Sequence, residues 1–378
     1  MSTEIELKLL IPQFGLNSFK QKLLKNAPHF HQQVFLGNTY YDTAEKFFAQ
    51  HQMGLRVRKE NQQFTLTLKT KGEALGGLHI RPEYNLPQRN ETPDLAQLVE
   101  NYDLDPSWKA LSLQPIFATD FARETFLIRP EFSSETPKTQ ETVEIEVALD
   151  QGKILARDKE VEISEVEFEL KQGKVADLLN YVRSLPLENG VRLSAISKAQ
   201  RGYALAENHQ PKAQNWLDKW RDFLDFAQSA GNFSQKLTAL FQLEQGLIEE
   251  TFALGQAYFA EDFLRTVERI GAFFNLYHFY TENGNLLENA FNQQGLSDAL
   301  KTDWLALVES SQQCLAECKQ LIALHSETKN NADVIAQLFD LLQSVFYLQR
   351  MLNLISLTYV EVEENDAANL ENWEINNG

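Results

Sequence analysis

Charged and apolar side chains alternate strictly in several short segments of the first half of the chain, and this alternation constrains the fold more than any other feature. In the opening segment 4–8, Glu4, Glu6 and Lys8 occupy every second position, with Ile5 and Leu7 between them. Segments 55–58, 64–71, 143–150 and 165–170 repeat the pattern. Because successive side chains of a strand point to opposite faces, each segment predicts a β-strand with one charged and one apolar face.

The charges on these predicted faces are sorted by sign. The first and last strands carry carboxylates, whereas the strands between them carry mostly arginine and lysine. The acids are Glu4, Glu6, Glu144, Glu146, Asp150, Glu165, Glu167 and Glu169, and the bases are Arg56, Arg58, Lys69, Arg81 and Arg123. A solvent-exposed face usually mixes both signs, so this sorting predicts a sheet whose charged face points inward and whose apolar face is covered by helices. A closed barrel would remove the sheet edges and enclose a ligand.

Charges buried at this density need compensation, because an unpaired buried charge is very costly. A divalent cation would compensate the carboxylates, and a polyanion would compensate the arginines and lysines. Arginine forks match phosphate oxygens, and Mg²⁺ or Mn²⁺ take carboxylate oxygens and bridge to phosphates. The residues alone therefore predict a metal-dependent site for a phosphate chain inside a polar barrel, and they leave the reaction open.

Turns and helices are expected between these strands. Asn61-Gln62 and Gln151-Gly152 are predicted hairpin turns, and segments 15–26, 175–185 and 193–206 are predicted helices.

The second half of the chain has a different character. Beyond a linker at 208–212, helical periodicity predicts a bundle of about six helices. The predicted segments are Trp216–Ala227, Phe233–Ala260, Asp262–Tyr280, Ser297–His325 and Ala332–Tyr359. We therefore expect two domains, 1–207 and 212–378, in an α+β chain.

Charge and cysteine usage exclude several classes of function. The net charge is −18, and residues 212–378 hold 10 Lys and Arg against 24 Asp and Glu. This acidity argues against nucleic acid as a ligand. No apolar run is long enough to span a membrane, and the acidic start predicts a cytoplasmic protein. Cys314 and Cys318 are too few for a disulfide framework and are expected to be buried or half-buried thiols.

The ordered set of charged motifs resembles the CYTH superfamily, the triphosphate tunnel metalloenzymes. The resemblance begins with Glu4-x-Glu6-x-Lys8 and covers roughly residues 1–205. Segments 77–84 (GLHIRPEY) and 197–203 (SKAQRGY) are similar to bacterial inorganic triphosphatases of this group. One such motif would be weak, but the ordered set is specific.

The resemblance implies an eight-stranded antiparallel tunnel that hydrolyses inorganic triphosphate (tripolyphosphate) to pyrophosphate and phosphate with Mg²⁺ or Mn²⁺. The implied substrate-binding residues are Lys8, Arg56, Arg58, Lys69, Arg81, Arg123 and Lys198. The implied metal ligands are Glu4, Glu6, Glu146, Asp150, Glu167 and Glu169. The implied catalytic set is Glu4, Glu6, Lys8, Glu167 and Glu169, without an assigned general base.

Several alternatives stay open at this point. The tunnel could be a non-catalytic sensor of polyphosphate or nucleotide, or could act on thiamine triphosphate. Glu144 and Glu165 could be structural partners of Arg81 or Arg123. His79 shares the inward parity and could be a wall residue or a ligand.

The helical half resembles a CHAD domain only faintly, through segment 261–270 (EDFLRTVERI). That domain is rich in histidine and basic residues, whereas here only His278 and His325 lie in the clear helical segments. A degenerate CHAD-like bundle with a structural role, or one that contacts a protein partner or the other domain, is therefore expected.

Overall fold

The computed structural model describes residues 2–25, 29–130, 142–228, 233–282 and 298–359, with only the backbone at 233, 234, 298 and 299. Contacts divide the chain into two compact units. The first comprises 1–187 and 193–210, and the second comprises 188–192 and 211–378. In the second unit, the backbone N–H of Gly190 donates to the Gln343 carbonyl at 2.7 Å, and that of Val345 donates to Asn189 Oδ1 at 2.9 Å.

The first unit is built around one antiparallel sheet that closes on itself. Its strands are β1 (Ser2–Leu10), β2 (Phe30–Asp42), β3 (Gly54–Glu60), β4 (Gln63–Lys69), β5 (Glu73–Leu75), β6 (Leu78–Gln88), β7 (Gln114–Ile128), β8 (Glu144–Ala156), β9 (Lys159–Gln172) and β10 (Arg192–Leu193). Eight of them form a ring in the order β1-β9-β8-β7-β2-β3-β4-β6, which the β6–β1 pairing closes. The predicted eight-stranded barrel is confirmed.

Helices cover the apolar outer face of the ring. They are α1 (Gln13–Lys25), α2 (Phe47–Gln50), α3 (Leu95–Tyr102), α4 (Val175–Ser184) and α5 (Lys198–Ala206). Helices α2 and α3 pack on β3 and β4 through Phe48, Leu98 and Leu66, which are all fully buried. The alternation read from the sequence therefore places the apolar parity outward against helices and the charged parity inward.

The predicted turn at Gln151-Gly152 is wrong, because β8 continues through both residues to Ala156 and turns at residues 157–158. Gly152 has a different reason to be glycine. A Cβ atom there would lie 2.1 Å from the Asp120 carbonyl oxygen of neighbouring β7. Close approach of two strands, rather than a turn, therefore requires the missing side chain.

The predicted helix over 193–206 begins later, at Lys198. Ser197 caps it by accepting a hydrogen bond from the Gln200 backbone N–H at 3.1 Å, and Gln200 Oε1 accepts one from the Ser197 backbone N–H at 2.8 Å. This capping box fixes the helix start. The preceding residues run beside β1, where the Ser194 N–H donates to the Lys8 carbonyl at 3.2 Å.

The second unit is helical, as predicted, with six helices in its described residues. They are α6 (Trp216–Gln228), α7 (Phe233–Ala260), α8 (Phe263–Glu282), Asp298–Thr328, Asn331–Leu342 and 345–359. The continuous helix predicted over 332–359 is interrupted at residues 343–344, and Ser344 accepts from the Tyr347 N–H at 3.1 Å. Helix α7 is kinked at Gly255, whose φ is 79°. Within the described residues, no helix combines the length and apolar character needed to cross a bilayer.

Candidate active site

A cavity of about 590 Å³ lies inside the barrel unit. Every residue predicted to bind substrate or metal lines it, except Asp150. The predicted residues that line it are Glu4, Glu6, Lys8, Arg56, Arg58, Lys69, Arg81, Arg123, Glu146, Glu167, Glu169 and Lys198. The inward parity of the strands therefore brings together acids and bases that are far apart in the sequence.

Strand register explains how the two signs meet. Because the ring closes, β1 lies between β6 and β9, so Glu4 faces Arg81 on one side and Lys8 faces Glu167 on the other. Cross-strand neighbours of this kind have Cβ atoms about 5 Å apart. The sequence separates the signs by strand, and closure of the barrel places the strands of opposite sign side by side.

Glu4 is held by two cations. Lys69 Nζ donates to its carboxylate oxygens at 2.5 and 2.6 Å, and Arg81 Nε donates to Oε2 at 3.1 Å. Burial alone would raise the pKa of Glu4, but the Lys69 and Arg81 charges outweigh burial and hold this pKa well below its usual range. Glu4 is therefore ionised at neutral pH.

For the pKa of Glu6, burial outweighs the effect of the nearby cations. Its nearest recorded cation is Arg81, with Nη2 at 3.8 Å. Burial, together with the negative charges of Glu167 and Glu4, raises the pKa of Glu6 to about 7. Additional positive charge beside Glu6 would stabilise its ionised form, which is the electrostatic condition that a divalent cation meets.

A second group of carboxylates, on β8 and β9, forms an ion-pair network with neighbouring cations. Oxygens of Asp150, Glu165 and Glu167 lie within 4.8 Å of one another, which is a spacing that could hold a metal. However, Lys198 Nζ lies among them, at 2.7, 2.5 and 2.7 Å respectively. Arg123 adds two bonds to Asp150, at 2.7 and 2.6 Å. In this structure the ammonium and guanidinium groups neutralise these three acids.

The two acids that were expected to have a structural role, Glu144 and Glu165, are both in ion pairs. Glu165 pairs with Lys198 and Arg201, and Glu144 pairs with Arg129 at 2.7 Å. Both are in ion pairs, but the anticipated partners Arg81 and Arg123 are wrong. Asp150 is fully buried and lies outside the cavity lining, so its predicted metal role stays a prediction.

Arg56 and Arg58 are the two arginines of the cavity that have no acidic partner among the described residues. Among the described residues, neither has a carboxylate oxygen within the 4.0 Å of an ion pair. Arg56 Nη1 donates to the Tyr40 hydroxyl at 3.3 Å, while its Nε is buried without a partner. Arg58 Nε donates to Asn38 Oδ1 at 3.0 Å. Burial, reinforced by the charges of Arg56 and Arg123, lowers the pKa of Arg58 to about 9. The two guanidinium groups together need an anion.

Sequence reasoning missed two residues that line the cavity, Lys171 and Tyr40, and one that supports its wall, Asp42. Lys171 lines the cavity and bonds Glu169 at 2.7 Å. It continues the alternation of Glu167 and Glu169, so parity could have found it. Tyr40 also lines the cavity and follows from its place opposite Arg56. Asp42 carries no such signal.

Asp42 fixes two elements of the wall. Its carboxylate accepts from the backbone N–H groups of Phe48 and Ala49 at 2.9 and 3.0 Å, at the start of α2. It also accepts from the Tyr203 hydroxyl of α5 at 2.8 Å. This buried group therefore positions the helix that carries Lys198.

Comparison with known proteins gives consistent matches. The model of the CYTH domain family matches residues 2–203. The inorganic triphosphatase of Haemophilus influenzae is 47% identical over 363 residues, covering 95% of this chain and 98% of that protein. Two solved structures are also similar. One is a putative adenylyl cyclase from Hippeastrum described as having a dominant triphosphatase activity, with a TM-score of 0.35 and 17% identity over 53% of this chain and 95% of that one. The other is a putative adenylate cyclase from Bacillus halodurans, with a TM-score of 0.32 and 17% identity over 53% and 98%.

Proposed function

The chain belongs to the CYTH domain family, and from that premise we propose that it is a metal-dependent hydrolase that cleaves inorganic triphosphate to pyrophosphate and phosphate inside its barrel. The observation that carries the proposal is the pair Arg56 and Arg58, two partly buried guanidinium groups without a carboxylate partner, in a cavity that also contains carboxylates. A plain anion-binding site gains nothing from such acids, whereas a site for a metal-bound phosphate chain needs both signs. The sequence identity to an inorganic triphosphatase over nearly the whole chain supports the same substrate.

The acids fit a divalent cation with oxygen ligands. Glu4, Glu6, Glu146, Glu167 and Glu169 line the cavity, and carboxylate oxygens are the donors that Mg²⁺ and Mn²⁺ prefer. We propose these residues as the metal ligands and leave out Asp150, because both of its oxygens are taken by Arg123. When bound, the cation supplies positive charge that polarises phosphoryl oxygens and water.

The chain's own cations would bind and orient the phosphates. Arg56 has an Nε atom without a partner, and Arg58 is held through Nε by Asn38, so each can present a fork to phosphate oxygens. Lys8 is anchored by a bond from Nζ to the Ile196 carbonyl at 2.6 Å. Fixed positive groups of this kind stabilise negative charge that moves between oxygens as the phosphoryl group is transferred, and they need no rearrangement to do so.

Lys198 and Arg123 have a different role from the cations that would bind phosphate. Each spans two or three carboxylates, so each organises the acids around it before any ligand arrives. Glu167 is the member of this network that also lines the cavity. Although burial would raise the pKa of Glu167, the Lys198 and Arg123 charges hold this pKa well below its usual range. We propose that the two cations keep Glu167 ionised and fixed in place.

Phosphate release from tripolyphosphate, ATP and thiamine triphosphate tests the proposal, with Mg²⁺ or Mn²⁺ and with a chelator. We expect turnover of tripolyphosphate far above that of the other two, and none with chelator. Tight binding of tripolyphosphate by calorimetry without phosphate release under any metal would instead favour a sensor. Turnover centred on thiamine triphosphate would move the assignment to that substrate.

A further inference from the structure

His79 is a buried histidine that the proposed mechanism does not use. It lies on β6, is 5% exposed and lines the cavity. Among the described residues that line the cavity it is the only histidine. Its Nε2 atom is buried and has no hydrogen-bond partner. An orphaned ring nitrogen in a buried polar cavity needs an explanation, because buried polar atoms are almost always satisfied.

The other ring nitrogen is already used. His79 makes a hydrogen bond to the backbone of Ser194 that favours the protonated ring nitrogen, as a bond from N–H to a carbonyl oxygen does. Because Nε2 has no partner, the bond belongs to Nδ1. Burial, together with the nearby Lys8 and Arg81 charges, lowers the pKa of His79 to about 3. The ring is therefore neutral, with Nδ1–H donating and the Nε2 lone pair free.

Strand register places this lone pair at the end of a row of acids. His79 faces Glu6 across β6 and β1, Glu6 faces Glu169 across β1 and β9, and Glu169 faces Glu146 across β9 and β8. All four side chains line the cavity. One nitrogen donor and three carboxylates thus occupy one level of four consecutive strands.

Positive charge is unevenly distributed along this row. At the β9–β8 end of the row, Lys171 Nζ lies 2.7 Å from Glu169 and 3.7 Å from Glu146. At the β6–β1 end Arg81 Nη2 lies 3.8 Å from Glu6, but Arg81 Nε donates to Glu4 at 3.1 Å and Lys8 Nζ donates to the Ile196 carbonyl at 2.6 Å. Glu6 and His79 are therefore the adjacent donors with the least compensation.

We propose that His79 Nε2 is a nitrogen ligand, together with the Glu6 carboxylate, for a divalent transition-metal cation in the barrel. A neutral imidazole whose second nitrogen donates to a backbone carbonyl is the usual state of a metal-bound histidine. A nitrogen donor strengthens binding of Mn²⁺ and of later first-row metals more than that of Mg²⁺, which requires oxygen. The inference rests on the proposed metal dependence, and it assigns the site a preference for Mn²⁺ over Mg²⁺.

Electron spin-echo envelope modulation of the full chain loaded with less than one equivalent of Mn²⁺ tests this directly, without substrate. We expect ¹⁴N modulation from a directly bound imidazole in the wild type, its loss in His79→Gln, and its retention in the control His278→Gln, which changes a half-exposed histidine of the helical unit. Calorimetry should show Mn²⁺ affinity falling at least about tenfold in His79→Gln, with Mg²⁺ affinity changing far less.

Wild-type protein without ¹⁴N modulation, or modulation that persists in His79→Gln, would overturn the assignment. Should His79→Gln fail to fold, wild-type protein labelled with ¹⁵N-histidine tests whether a histidine is bound, because the modulation must then change from ¹⁴N to ¹⁵N, and among the described residues that line the cavity His79 is the only histidine. Phosphate release is measured separately. Hydrolysis without nitrogen ligation removes only this inference, and nitrogen ligation without hydrolysis removes only the proposed function.

Discussion

Arg58 is desolvated without a counter-ion, and a residue in that state reduces stability unless a ligand compensates it. We expect Arg58→Ala to raise the KM for tripolyphosphate about 10- to 100-fold, because a charge-assisted hydrogen bond to the ligand is worth about 1.5–3 kcal/mol. We also expect the free energy of unfolding without ligand to stay the same or increase, since a buried unpaired charge is removed. Kinetics and urea unfolding measure the two effects. Lys153→Ala, which changes a half-exposed cation paired with Glu160, is the control. A less stable Arg58→Ala with unchanged KM would make Arg58 structural.

The raised pKa of Glu6 predicts that the free energy of unfolding of the metal-free protein depends on pH. Its pKa is about 7 in the folded state against an ordinary 4.5, so the folded state binds this proton more tightly than the unfolded state. The stability that it contributes is present below pH 4.5 and is lost as the pH rises through 7.

Glu6→Gln removes that dependence. With chelator present, we expect the variant to equal the wild type near pH 4.5 and to be more stable at pH 8, by on the order of 2–3 kcal/mol. Chemical unfolding across this range measures the difference. Glu160→Gln, which changes an exposed acid, should follow the wild type. Parallel curves for the wild type and Glu6→Gln would mean that Glu6 ionises normally.

For single residues, the sequence predicts which face of a strand a side chain lies on, but not which side chains it contacts. Strand parity identified most of the charged strand residues that line the cavity, because inward and outward faces alternate, whereas Lys198 lies on a helix and was predicted through the family resemblance. Parity cannot assign partners, since these depend on the register of strands that pair only after closure. This is why Glu165 was linked to the wrong arginines, and why the use of Asp150 by Arg123 and Lys198 could not be foreseen.

At the scale of elements, helix α5 sets the position of Lys198, and Gly202 sets the position of α5. A Cβ atom at Gly202 would lie 2.0 Å from the Phe117 ring on β7, so the helix must move to accept a side chain. We expect Gly202→Ala to lower stability by about 1–3 kcal/mol and to lower kcat/KM for tripolyphosphate, because Lys198 loses its place among the carboxylates.

Gly271 in α8 provides the matched control. A Cβ atom there meets nothing within 4 Å, so Gly271→Ala should be neutral or should stabilise the helix by up to about 1 kcal/mol. Thermal unfolding and steady-state kinetics of both variants make the comparison. If Gly202→Ala behaves like Gly271→Ala, the close packing of α5 on β7 does not hold the site together.

Elements were predictable where local patterns decide them, and not where tertiary contacts do. The hairpin turn at Asn61-Gln62 and the helix Val175–Ser184 follow from turn chemistry and periodicity. Gly152 was assigned to a turn because glycine favours turns, although its cause is the approach of a neighbouring strand. The start of α5 was recoverable from the capping pair Ser197 and Gln200, which the helical periodicity concealed.

At the scale of the whole molecule, the helical unit contains a buried ion pair. Arg350 and Glu244 are both removed from solvent, with Nε and Oε1 3.0 Å apart, and Arg350 Nη1 also donates to Ser311 at 2.7 Å. Cys314 and Cys318 are fully buried. The acidic surface of the helical unit, and a role for that unit in contacting a protein partner, remain predictions from the sequence.

Glu244→Ala should destabilise the helical unit by about 3–5 kcal/mol, because it leaves Arg350 buried without a partner. The KM for tripolyphosphate should not change, since every residue that lines the cavity belongs to the barrel unit. Urea unfolding and kinetics test both statements, with the exposed Glu309→Ala as the control. An altered KM in folded Glu244→Ala would couple the helical unit to the reaction.

The central claim is that the barrel cleaves tripolyphosphate with a metal held by its carboxylates. Phosphorus-31 NMR of tripolyphosphate incubated with the full chain and Mg²⁺ or Mn²⁺ tests it most directly, with wild type and Glu4→Gln compared. The account predicts equal amounts of phosphate and pyrophosphate from the wild type, no products with chelator, and a large loss of rate in a folded Glu4→Gln. Tripolyphosphate that stays intact with wild type under both metals, or products formed equally well by Glu4→Gln, would contradict it.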